Sequence, residues 1–239
     1  MSPKRAQSGD AVPGGVWLRE PRPASRAPAL TRERIVAAAV EVLDQGGAEG
    51  LSMRRLADAL DVHATSLYWH VSHRDDLLDL ALDAVFGEVA ASGGASGSWR
   101  ADVAAFMGGL RAALLRHPWS AALAVSRPLL GPNALAHSES VYAALARAGL
   151  AGLDLRAGAA AVSTFVIGSV AAEAAWRHPG AAAARAAVND HLRGSADRYP
   201  TLAAHAVTGE EDWATHFTRG ADAFLHGLAV LGADRPEQG

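Results

Sequence analysis

Residues Leu51–Val71, LSMRRLADALDVHATSLYWHV, leave few choices of fold. The stretch reads as two short helices joined by a tight turn, a helix-turn-helix. Ser52 is a natural cap for the first helix, because its hydroxyl can accept an orphan backbone N–H. Leu56 and Leu60, one turn apart, give that helix an apolar face, and Ala57 is small where the second helix crosses. Asp61 holds the turn, since Asp tolerates the left-handed conformation better than most residues. Leu67 and Val71, again i and i+4, turn the second helix inward. A turn of about 100° per residue from Leu67 then sends Thr65 and Trp69 outward. Ser66, Tyr68 and His70 complete an outer face whose aromatic residues point to a partner. The bland alternative is a plain helical hairpin in which other parts of the chain bury Tyr68 and Trp69.

The flanks favour the partner. Ser72 and Asp75 form a Ser-x-x-Asp capping pattern that starts a new helix. Arg54 and Arg74 bracket the outward face with charge suited to phosphate or base contacts. The formal net charge is −3, yet residues 1–34 carry seven Lys/Arg against three Asp/Glu, whereas residues 91–239 carry twelve of each. That asymmetry fits nucleic acid at the N-terminal side.

The run GGAEGLSMRRLADALDVHATSLYWHVSHRDDLLDLAL resembles the DNA-binding domain of the TetR family, and SLYWHV is similar to its tetracycline-repressor branch. The likeness continues, more loosely, into SWRADVAAFMGGLRAALLRHPW and AVSTFVIGSVAAEAAW, and covers most of residues 30–231. It implies an all-α chain: a three-helix head at 30–75 and a helical effector-binding and dimerisation body at 76–235. It further implies a homodimer that reads a palindromic DNA operator and lets go when a small molecule binds. Base-edge contacts fall to Thr65, Ser66 and His70, with Arg54 reaching a base or phosphate. Tyr68 and Arg74 anchor phosphates, and Trp69 packs on sugar or a thymine methyl. Ala64 stands where the tetracycline repressor has glutamine, so the operator should differ.

Residues 1–29 are rich in Pro, Arg, Ser and Gly and read as a disordered tail, or as a basic arm using Arg19, Arg22 and Arg26 along DNA. Thr31 caps the first helix, and Gly46-Gly47 stops it. ASGGASGS at 91–98 is the clearest linker. Beyond it, helices are expected over 99–117, 119–126, 133–148, 155–176 and 212–231, with 181–199 weakly patterned. In the 133–148 helix Leu135, Val141, Tyr142 and Leu145 should face inward, and the 155–176 helix should be buried nearly all round. Phe217, Phe224 and Leu228 then fall to a four-helix interface shared by two subunits.

There is no Cys, no nucleophile elbow, no phosphate loop and no His-Glu-x-x-His, so neither a cofactor, a metal site nor an enzyme is expected. No secretory leader is recognisable, and the uncharged stretch 157–172 falls short of the roughly 18 residues of a membrane span, which points to the cytoplasm. Glu173 is the exception on a greasy helix: it pairs with Arg177 one turn on, or it lines a ligand cavity. By resemblance, the matching glutamate of the tetracycline repressor helps hold a drug-borne magnesium. Phe106 and Leu110 replace that repressor's amide and aromatic side chains, and Leu123 replaces its metal-ligating histidine. The expected effector is therefore mainly apolar, lying against Phe106, Leu110, Leu123, Phe165 and Trp176, with Ser126 or Glu173 as the polar contact. A constitutive DNA-binding protein and a helical enzyme are the rival readings.

Overall fold

The computed structural model describes residues 13, 14, 17, 30–90, 97–177, 180–206 and 212–233, and among these every regular element is an α-helix. Helix α1 (Arg32–Gly50) starts as expected: Thr31 Oγ1 accepts the Arg34 N–H at 3.2 Å. Its ladder breaks at Gly47, whose φ of 63° only glycine adopts at little cost. A short further helical piece to Gly50 follows the kink. Helix α2 (Met53–Leu60) is capped by Ser52, which accepts the Arg55 N–H at 3.2 Å. Asp61 then takes φ 53°, ψ 49°, the left-handed conformation its short polar side chain tolerates.

Helix α3 (Ala64–Leu67) is shorter than the sequence suggests. Tyr68–His70 continue as tighter turns, with His70 N–H donating to Leu67 O at 2.9 Å. Leu67 and Val71 are nonetheless buried together, as their spacing requires. Helix α4 (Arg74–Gly87) begins one residue off the Ser72/Asp75 pattern. Asp76 is the capping acid, accepting from Ser72 N at 3.1 Å and His73 N at 3.2 Å. Ten of its fourteen residues are buried, including Asp76, Asp79 and Asp83. It is the spine between head and body.

The body adds α5 (Trp99–Arg116), α6 (Pro118–Ser126), α7 (Pro132–Arg147) and α8 (Gly152–Ala175). It continues with α9 (Ala181–Gly194), α10 (Pro200–Ala204) and α11 (Trp213–Ala233). Helix α4 packs on α1 at one side and on α5, α6 and α7 at the other. Gly131, just before α7, is obligatory: a Cβ there would sit 2.2 Å from the Asp83 carboxyl group. Asp83 in turn accepts from Ala134 N at 2.9 Å and from Asn133 Nδ2 at 3.1 Å, closing α7's positive end onto α4. Burial among these groups pushes the Asp83 carboxyl up despite the hydrogen bonds.

Two expectations for the body need correction. Leu135 is 50% exposed; Ala134, His137, Val141, Ala144 and Leu145 make α7's inner face. Helix α8 is not buried all round. Only a third of its most apolar window is covered, although it is long and apolar enough to cross a membrane. The covered stripe runs Gly158, Ala159, Val162, Val166, Ile167, Val170 and Glu173, against α5, α6, α7 and α11. The reason is geometric: these neighbours flank α8 on one side only.

Candidate DNA interface, hinge and effector site

The helix-turn-helix places its outer residues where a DNA groove could meet them. Trp69 is 73% and Tyr68 50% exposed, while Arg54 and Thr65 are exposed and Ser66 and His70 half-buried. The plain-hairpin alternative required Tyr68 and Trp69 to be covered, and within this chain they are not. Arg74, expected as a phosphate anchor, is exposed but also bound within the head. Its Nε donates to Leu51 O at 2.8 Å, and its Nη2 donates to Ala48 O. Those carbonyls lie where α1 turns into α2, so Arg74 ties the head together. Nothing but the fold could reveal this, because 23 and 26 residues separate the partners.

Of the N-terminal 29 residues, Pro13, Gly14 and Trp17 lie at the junction of head and body. Gly14 N–H donates to the buried Asp79 carboxylate at 2.6 Å. A Cβ at Gly14 would press on Leu130 and Pro128 at 3.2 and 3.5 Å. Trp17 faces the Arg32 guanidinium at 5.9 Å and closes one end of a groove of about 640 Å³ between α1 and α4. Arg19, Arg22 and Arg26, the expected arm residues, lie outside the described residues.

Helix α6 is clamped at both ends. At its C-terminal end Arg127 reaches Asp75 Oδ1 at 2.5 Å and Asp79 Oδ1 at 2.7 Å on α4. Burial pulls the Arg127 guanidinium down, but the two carboxylates outweigh it and hold it up. At the N-terminal end, Trp119 Nε1 donates to Asp44 Oδ1 of α1 at 2.6 Å. His117 stands between Asp44 Oδ1 at 2.8 Å and Glu88 Oε1 at 2.9 Å. Arg116 donates to the other Glu88 oxygen at 2.6 Å. Burial pushes Glu88 up, but Arg116 and His117 outweigh it and hold its carboxyl below the usual range. Neither clamp was foreseen from the sequence, where these charges are scattered.

The expected effector residues divide among three places. Phe106 lines a cavity of about 220 Å³ between α5 and α7, floored by Val103, Val141 and Ala144 and rimmed by Asp102, Glu139 and Arg147. Leu110 is wholly buried, and Leu123 half-buried against the same core. Phe165 instead joins the residues expected at the dimer interface: its ring centroid is 5.6 Å from both Phe217 and Phe224. Trp176 ends α8 under Arg185, 6.0 Å away. Leu228, the third interface candidate, is buried at 4% within the chain, so it serves the core.

The polar contacts proposed for the effector are already engaged. Glu173 does pair with Arg177, and Arg111 of α5 joins from the other side at 2.6 Å. A carboxylate held by two guanidiniums is a poor ligand for magnesium. Ser126 is exposed, its hydroxyl donating to Ala122 and Leu123 carbonyls at 3.2 Å. Among the described residues no cluster of three or more His, Asp or Glu side chains is placed to hold a metal ion.

Comparison with known proteins agrees with this architecture. Residues 35–81 match the tetR family of bacterial regulatory proteins, and residues 94–231 match the tetracyclin repressor-like C-terminal domain. An HTH-type transcriptional regulator of Saccharopolyspora erythraea is 54% identical over 95% of this chain and 96% of its own length. The HTH-type transcriptional repressor DrrR1 of Streptomyces coeruleorubidus is 36% identical over 87% of this chain and 80% of its own. Among solved structures, the Streptomyces coelicolor TetR family protein ActR in complex with (S)-DNPA superposes with a TM-score of 0.75. It is 33% identical, and the match covers 86% of this chain and all of that one. With both halves matched and relatives this similar along nearly the whole length, the chain belongs to the TetR family of bacterial transcriptional regulators.

Proposed function

We propose that the chain is a homodimeric repressor of the cytoplasm, not an enzyme, that leaves a palindromic operator when a small, mainly apolar effector occupies the body. The exposed Tyr68–Trp69 face carries the reading. Two large aromatic side chains in water are unfavourable unless a partner covers them, and they stand on the helix pair that enters a major groove in such folds. Arg54, Thr65, Ser66 and His70 surround them and supply donors for bases and phosphates. Arg74 keeps the head rigid instead of touching DNA.

Dimerisation follows from α8 and α11. Leu153, Val230 and Leu231 are 70%, 47% and 53% exposed, and the Phe165, Phe217 and Phe224 cluster is only half-buried. A second copy laying its own α8 and α11 on this face would cover it. Support for an effector comes from ActR, solved with a small molecule bound, and from the α5–α7 cavity that Phe106 lines.

The experiment is selection of duplexes from a random pool, followed by footprinting. Two protected half-sites roughly 34–36 Å apart are expected for the wild-type dimer. Trp69→Ala should bind the selected duplex at least about tenfold more weakly, with unchanged thermal unfolding, on the scale of one lost base or sugar contact. A single protected half-site, or wild-type affinity in Trp69→Ala, overturns the reading.

A further inference from the structure

His117 is 9% exposed and joins three parts of the fold. Asp44 comes from head helix α1, Glu88 from the end of α4, and His117 itself from the joint between α5 and α6. Both ring nitrogens lie within 3 Å of carboxylate oxygens. An ionised carboxylate only accepts, so both nitrogens must donate, and an imidazole that donates twice is an imidazolium. The charges agree. The groups facing the ring are Asp44 from α1, Glu88 from α4 and Arg116 from α5, with the neutral Trp119 N–H from α6. Glu41, one turn before Asp44, lines the same groove as Glu88. Two carboxylates meet Arg116 and His117, and they balance only when His117 is charged.

We propose that His117, protonated on both nitrogens, is the pin that fixes the head against the body, and that removing one proton frees the head and lowers operator affinity. A neutral ring has one N–H and can hold Asp44 or Glu88 but not both. Losing Asp44 releases α1, on which α2 and α3 ride. Losing Glu88 leaves the end of α4 to Arg116 alone, which donates to the other Glu88 oxygen. Losing Asp44 leaves Trp119 as the direct side-chain bond to the head at this end, and losing Glu88 cuts the link between α1 and the end of α4 that runs through the ring. Histidine is the side chain whose ordinary titration falls nearest neutrality, so the pin makes DNA binding sensitive to cytoplasmic pH. His117 is a positioning residue: it lies in the joint, remote from the Tyr68–Trp69 face.

The inference rests on the proposed operator reading, and the test separates the two. Affinity for the selected duplex is measured at about pH 6 and about pH 8.5, a span that brackets imidazole titration. Wild type should lose about fivefold more than His117→Gln over this span, the scale of one partly exposed charged hydrogen bond. The variant should be weak already at the lower pH. Its salt dependence should match wild type, because no phosphate contact changes. His63, His70 and His73 are present in both proteins, so the difference between the two profiles reads His117.

The second arm needs no DNA. The chain has no Cys, so Asp58→Cys on α2 and Ser140→Cys on α7 place one spin-label pair across the joint. With labelled chain diluted into unlabelled chain, the distance distribution should be narrow in wild type at low pH and broad at high pH. In His117→Gln it should be broad at both. Asp44→Ala and Glu88→Ala, which remove the accepting oxygens, should reproduce that behaviour, and they carry the test if His117→Gln fails to fold. Parallel pH profiles, or a narrow distribution in all variants, overturn the pin. Failure to select any duplex, with the distances behaving as expected, overturns the operator reading alone.

Discussion

In the head, α1 and α2 each begin on a hydroxyl that accepts an N–H three residues further on, from Thr31 and from Ser52. In the body, α6 and α7 begin on proline, and what fixes them comes from far away. Asp83 closes α7 across 50 residues, and Asp44 holds α6 across 75. The starts of α1 and α2 are therefore specified by local sequence, as is that of α5 on Ser98, whereas α6 and α7 are placed by pairs that exist only once the chain has folded. Damage should follow the same division: local and modest at the head's caps, large where one body group answers two distant ones.

Glu173→Ala should show the largest effect. The carboxylate is 2% exposed and takes both Arg111 and Arg177. Removing it leaves the Arg111 guanidinium, itself only 17% exposed, without its anion. A cost of about 3 kcal/mol is expected, the scale for unpairing a buried charge. Arg177→Ala should cost less than about 1 kcal/mol, because that arginine is a solvated partner. Urea unfolding of the two variants reads the difference. Equal, small losses would show that the pair is an ordinary surface contact and that the body is as local as the head.

Legibility in the sequence follows the same line. The helix-turn-helix, both hydroxyl caps, the left-handed Asp61 and the break at Gly47 are written within three or four residues, where periodicity and capping chemistry act. The start of α4 slipped by one residue because Ser72 and His73 both stand where an acid at N3 could receive them, and Asp76 serves both N–H groups. Leu135 was misplaced because Ala and His, not large apolar residues, make α7's inner face where α4 and α5 come close. Arg74 was expected to reach phosphate, Glu173 to pair with Arg177 or line a cavity, and Arg127 carried no expectation. Each is engaged by groups 23 to 62 residues away, and no spacing rule announces such a partner.

Arg74→Ala breaks the long-range tie within the head. Two charge-assisted bonds to carbonyls are lost at an exposed guanidinium, so about 1.5 kcal/mol of stability should go. The salt slope of DNA binding should stay as in wild type. A phosphate anchor would behave oppositely, with stability unchanged and the slope reduced by about one unit. Thermal unfolding and binding over a range of salt concentrations distinguish the two, and a reduced slope would return Arg74 to the DNA interface.

The smallest expected effect is at Asp61, where the head turns between its two short helices. Its φ of 53° is in the region glycine enters freely and other residues enter at some cost. Asp61→Gly removes that cost in the folded chain. It also adds backbone freedom to the unfolded chain, worth about 0.4–1 kcal/mol in the other direction. The two nearly cancel, and a net change within about 0.5 kcal/mol is expected, because Asp is already among the cheaper residues in this conformation. The body's comparable turn has no such latitude. Gly149 has φ 92°, and a Cβ there would stand 3.0 Å from the Gly232 carbonyl of α11. Gly149→Asp should therefore cost several times what Asp61→Gly changes, through a contact 83 residues away as well as through the positive φ of the turn itself. Paired thermal melts of the two variants measure this, and equal shifts would mean that the α7–α8 turn is as locally determined as the one between α2 and α3.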